Sequence, residues 1–153
     1  MKRFLSLLFC ALICVTIIPC HISAEESNPD DQIIISQTVQ DVGNGFYYIE
    51  TISVPAVQTY GSTRTGTKTA RCVHSGTNIF AISVTGTFTY DGTTADATSA
   101  SYSITTYVED ATVKSCNAYT SGASAIATGS VSYMGFTLQK TVTLTCDKNG
   151  TLS

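Results

Sequence analysis

The sequence predicts an all-β protein: an antiparallel Ig-like β-sandwich of about seven strands, with a partly open β-barrel as the alternative. Three observations carry that expectation. From Phe46 onward apolar and polar residues alternate in short runs of period two. Turn clusters such as SGTN and DGTT separate those runs at regular spacing. No window shows a capped 3.6-residue period, so no helix is expected in the mature domain.

The elements follow in order. Residues 25–31 (EESNPDD) are acidic, contain Pro29 and lack an apolar period, so residues 25–44 read as an acidic, partly disordered leader. Within it, residues 33–39 can add a first strand. Asn44-Gly45 then marks a turn, and residues 46–54 place Phe46, Tyr48, Ile52 and Val54 in one phase before Pro55 closes the run. A polar Gly/Ser/Thr connection leads to strands expected near 67–74, 79–90, 95–108, 111–120, 123–134 and 135–146. Phe80, Ile82, Val84, Phe88 and Tyr90 share a phase, with Gly86 among them as a bulge or a position of close approach. Phe136, Leu138, Val142, Leu144 and Cys146 share another. The opposite phases are Ser, Thr and Ala, which suit a solvated outer face and favour strand over helix. Residues 45–153 thus form a single β-sandwich domain.

The first 24 residues read as a signal peptide. Lys2 and Arg3 supply a positive start, residues 4–18 are uncharged and largely apolar, and Ile22-Ser23-Ala24 offers a cleavage site. The expected location is therefore secreted, with retention at the cell surface as a variant. Of the 153 residues, removal of 24 leaves 129, enough for one domain with its own core. The mature charge is six basic residues against eleven acidic ones, or −5. That balance, without a basic cluster, argues against nucleic acid and against an anionic membrane once the signal is cleaved.

Three cysteines remain in the mature chain: Cys72, Cys116 and Cys146. Outside the cell two can pair and one is left over, and spacing alone does not choose among the three pairings. Wide spacing and a single mature histidine, His74, speak against a metal site, and no cofactor is expected.

The stretch GTKTARCVHSGTNIFAISVTGTFTYDG and the ending GSVSYMGFTLQKTVTLTCDKNGTLS resemble a family of small secreted β-domain proteins of Gram-positive, clostridia-like bacteria. The resemblance covers most of residues 46–153. It implies fold and export. The family has no assigned biochemical function, so no site residue is carried over. Similar chains place a Cys just after the turn where this chain reads TTADATS, with Ala97 and Thr98; the bridge to Cys146 that this would imply is absent or rerouted. Cys116, near the end of a strand expected to approach the last one, is then the leading partner of Cys146, with Cys72 left over.

Chemistry-bearing residues are few. His74 as a general base needs a nucleophile and an orienting acid, and no G-x-S-x-G motif supplies them; a strand-end imidazole satisfied by its surroundings is the plainer reading. Asp91, Asp96, Glu109 and Asp110 could gather a hard cation, but their spacing is not that of an EF-hand and acids at turns form turns. As a glycosidase pair, Asp91 and Asp96 lack a reason for a walled cleft. Tyr60, Tyr119 and Tyr133 could stack on sugars, although the chain has no Trp and tyrosines in sheets usually pack across strands. Asn149-Gly150-Thr151 reads as a closing turn.

Glu50 and Lys140 stand apart because each falls in the apolar phase of its strand. A buried charge needs a partner, so the two could form an ion pair, or Lys140 an isopeptide cross-link. The plainer reading is a bulge that shifts the phase, or a rim position from which the Lys head reaches water. Together these features predict a non-enzymatic binding or surface-interaction module for an unknown extracellular ligand or surface polymer. The alternative is a self-associating structural component, a homo-oligomer built through edge strands or the spare cysteine. A hydrolase ranks last.

Overall fold

The computed structural model describes residues 31–56 and 61–153. The segment read as a signal peptide, the first part of the segment read as an acidic leader, and Tyr60 lie outside them. The described chain is all β: β1 (Gln32–Gly43), β2 (Phe46–Pro55), β3 (Thr63–His74), β4 (Thr77–Tyr90), β5 (Ala95–Thr106), β6 (Thr112–Ser121), β7 (Ser124–Tyr133) and β8 (Phe136–Thr145). They form two antiparallel sheets, one in the order β1-β2-β3-β4-β5 and one in the order β6-β7-β8. The molecule is a β-sandwich and not a closed barrel, with eight strands where the sequence suggested about seven. The strand expected within the leader is β1, so the sheet begins inside the segment 25–44 that the sequence reads as an acidic, partly disordered leader.

Local chemistry sets the turns. Ser75-Gly76 joins β3 to β4 and Met134-Gly135 joins β7 to β8, each a two-residue loop with both φ angles positive (50° and 81°, 50° and 79°). Such turns match the right-handed twist of the strands they connect. At the DGTT turn, Asp91 Oδ1 accepts bonds from the Thr93 and Thr94 N–H groups at 2.8 and 2.7 Å. Those donors hold its carboxyl below the ordinary carboxylate value.

The core lies between the sheets. Phe80, Phe88, Ile79, Ile82, Val84, Val131, Val142 and Leu144 are fully buried, and most come from the two alternating phases read in the sequence. Gly86 is a position of close approach: a Cβ there would sit 2.6 Å from Ala125 Cβ and 2.7 Å from the Phe88 ring. On the outer face of the larger sheet, hydroxyls pair across β3 and β4: Thr65 with Thr87, Thr67 with Thr85, and Thr69 with Ser83 at 2.8–3.2 Å. This ladder explains the Thr-rich phase, since cross-strand Thr pairs stabilise a solvated sheet surface.

The two sheets differ in width, and that positions everything below. β8 lies over β3 and β4, β7 over β4 and β5, and β6 runs against β5. One side of the sandwich is therefore closed. On the other side β2 is covered only by side chains reaching from the rim, and all twelve residues of β1 are exposed.

Candidate functional site

The open side gathers Glu50, Lys140, His74 and Tyr133 among the residues that the sequence singled out. β1 is its outer member. Opposite the core-facing Val54, Ile52, Glu50 and Tyr48 of β2 stand Ile33, Ser36, Thr38 and Gln40; opposite the outward Ser53, Thr51, Ile49 and Tyr47 stand Ile34, Gln37, Val39 and Asp41. Ile35 is the extra residue of a bulge between Ile34 and Ser36. Ile33, Ile34, Ile35, Val39 and Val42 are between 46% and 65% exposed, a dense apolar row for a strand that no second sheet covers.

An ionic bridge crosses from β8 to the larger sheet. Lys140 Nζ lies 2.6 Å from Glu50 Oε1, and Lys68 Nζ lies 3.8 Å from Glu50 Oε2. Lys140 also donates to Gln40 Oε1 of β1 at 3.1 Å and rests 4.5 Å from the centre of the Tyr48 ring. The surroundings of the ammonium are thus a carboxylate, a carboxamide and an aromatic face. The ion pair has its partners in place, whereas an isopeptide with Asn or Asp finds neither residue type among these contacts. The sequence missed Lys68 and Gln40. Lys68 was detectable, because it shares the inward phase of Gly66, Ala70 and Cys72; Gln40 joins only through the approach of β8.

Beyond the bridge a cleft of about 230 Å³ opens between the β1–β2 turn and β8, lined among others by Val42, Phe46, Tyr48, Phe136 and Leu138. Its inner end is aromatic. His74 stacks on Phe46 with ring centres 4.1 Å apart and meets Tyr133 edge-on at 6.1 Å. The imidazole therefore serves as a packing plate in an aromatic cluster.

The disulfide expected between Cys116 and Cys146 is not formed: Cys72, Cys116 and Cys146 are all free thiols. Pairing explains the correction. β7 separates β6 from β8, and Cys116 stands level with Gly129 and, beyond it, Lys140. Cys146 is six residues beyond Lys140, just past the end of β8, roughly 20 Å at strand spacing, against a Cα separation of about 7 Å at most for a bridge. The thiols are held by their surroundings instead. Cys116 Sγ lies over Gly129, while Cys146 is buried with its thiol donating to the Asp147 carbonyl at 3.4 Å and its backbone bridged to Leu152 at the closing turn. Cys72 is buried beside Tyr48; burial pushes its thiol up to about 11, partly offset by the bond with Tyr48, whose own hydroxyl burial also raises. Burial raises Cys116 and Cys146 as well. A titration with a thiol reagent will therefore find three thiols in the denatured mature chain. In the folded chain at neutral pH, Cys72 and Cys146 will react far more slowly; a single thiol in the denatured, unreduced protein would contradict the arrangement.

The remaining candidates are dispersed. Tyr119 pairs with Ile126 on β7 and Tyr133 ends that strand, roughly 23 Å away, so the two make no common stacking platform. Asp91 and Asp96 border a shallow groove of about 270 Å³ with Ser62, Thr89, Tyr90 and Thr94. Glu109 and Asp110 sit in the crossover between the sheets. Among the described residues no group of three or more His, Cys, Asp or Glu side chains is placed to hold a metal ion. Asn149-Gly150-Thr151 is a turn whose N–H groups at Asn149 and Thr151 donate to Asp147 Oδ1, both at 2.8 Å.

Neither a family model, nor a curated protein, nor a solved structure matches the chain.

Proposed function

We propose that this chain is a secreted, non-enzymatic binding module that engages an extended protein segment by accepting it as an added strand along β1. The observation that carries this reading is the edge itself. β1 is twelve residues long, ends its sheet, is exposed on both faces and displays five large apolar side chains. Its outward backbone N–H and C=O groups offer a template for a further strand. Edges are usually blunted by lysine or proline, and neither occurs in β1. Secretion is supported by the N-terminal charge and hydropathy pattern.

The reading gives β1 and the bridge different tasks. Backbone pairing supplies affinity, and the alternating side chains of β1 supply specificity. The Lys140–Gln40 contact ties β1 to β8, so the edge is held in place before a partner arrives, which lowers the ordering cost of binding. The test uses a synthetic peptide of alternating Val and Thr, titrated by calorimetry. Val39→Lys, at a 65% exposed position, will weaken binding by about tenfold, or ~1.4 kcal/mol. Val113→Lys, at an exposed position on β6, will leave it unchanged. Equal loss in both variants, or no binding to the unsubstituted chain, overturns the proposal.

A further inference from the structure

We infer that the strand accepted by β1 is the β1 of a second copy of this chain, joined antiparallel about a two-fold axis through Gln37; this rests on the strand-addition reading above. Two five-stranded sheets would then become one continuous sheet of ten.

The self-match of β1 carries the argument. A two-fold antiparallel seam requires a strand that can face itself. With Ile35 set aside in its bulge, an axis through Gln37 places Ser36 opposite the second copy's Thr38, Ile34 opposite Val39, Ile33 opposite Gln40 and Gln32 opposite Asp41. Every pair joins residues of the same face, as their common alignment on β2 shows. On the outer face Ile34 and Val39 meet twice, once in each half of the seam, and Ile49 of β2 lies beside each Val39. Asp41 is the only charged residue in β1, and its two copies fall at opposite ends of the seam, so no like charges oppose one another. Moving the axis one residue, to Thr38, sets Ile34 opposite Asp41 and Val39 opposite Gln37 and destroys the match. The other edges fit less well. β5 and β6 run against each other, and β8 carries Lys140 in the bridge.

Sedimentation of the secreted chain over a range of concentrations tests this with Ile34→Glu, Val39→Lys and the double variant. Both changes lie on exposed positions, and circular dichroism checks that the fold is kept in all three variants. The unsubstituted chain will dimerise. Each single change occurs twice per dimer and will raise the dissociation constant roughly tenfold. The double variant will recover dimerisation, because each introduced carboxylate faces an introduced ammonium across the seam. A chain that stays monomeric at every concentration overturns the inference, as does a dimer indifferent to Val39→Lys or a double variant as weak as the singles. If the chain is monomeric but the alternating peptide still binds at β1, self-pairing alone fails; if the peptide does not bind either, strand addition fails with it.

Discussion

Replacing Glu50 with Gln will destabilise the fold by about 2 kcal/mol, read as a shift in the midpoint of urea unfolding. The carboxylate stands between two ammonium groups, 2.6 Å from Lys140 and 3.8 Å from Lys68. Without it those two like charges remain at the rim of the inter-sheet space with only Gln40 Oε1 and the Tyr48 ring to receive Lys140. Removing one member of a fully buried pair costs about 3–5 kcal/mol. Here the side chains retain 12% to 20% exposure, and screening at the rim lowers the figure. The double variant Glu50→Gln, Lys140→Gln will recover part of the loss, since it removes a charge together with its partner. An unchanged midpoint in Glu50→Gln would show that the bridge contributes nothing to the open side.

Gly86→Ala will also destabilise, by about 2 kcal/mol, and the sign is the informative part. Gly86 has no positive φ, so alanine can adopt its backbone, and such a change ordinarily stabilises by roughly 0.4–1 kcal/mol through the unfolded chain. A strand interior favours alanine over glycine for the same reason. Packing reverses the outcome. The added methyl would lie 2.6 Å from Ala125 Cβ and 2.7–2.8 Å from two atoms of the Phe88 ring, both residues fully buried. Overpacking of this kind costs about 1–3 kcal/mol. Thermal unfolding that moved upward in Gly86→Ala would mean the sheets can separate locally without penalty.

The core and the open side differ in how far the sequence revealed them, and the reason is physical. Phe80, Ile82, Val84 and Phe88 advertise themselves because a strand with one face covered must alternate. Glu50 and Lys140 stood out as breaks in such a phase, and phase is a local property. Phe136 shares the phase of Val142 and Leu144 yet is 53% exposed, because it extends past the strands that the smaller sheet covers. β1 shows the same limit more fully. Its row of isoleucines looks like material for a core, but exposure depends on how many strands stand opposite, and that is set by the unequal width of the two sheets. The cysteines fail for a related reason: proximity in a sheet depends on strand order, and β7 lies between β6 and β8. Lys68 was within reach of the phase argument and was hidden only by the threonines around it.

The free edge of β1, proposed above as a strand-pairing surface, is tested most directly by residue-resolved amide hydrogen exchange. Along Gln32–Gly43 alternate N–H groups point to β2 or away from it. Raising the protein concentration, or adding the alternating Val-Thr peptide, will slow exchange at the outward set and leave the inward set as it was. Outward amides that exchange at the same rate under both conditions, or protection that gathers instead at Phe136–Gln139 in the cleft, would contradict it.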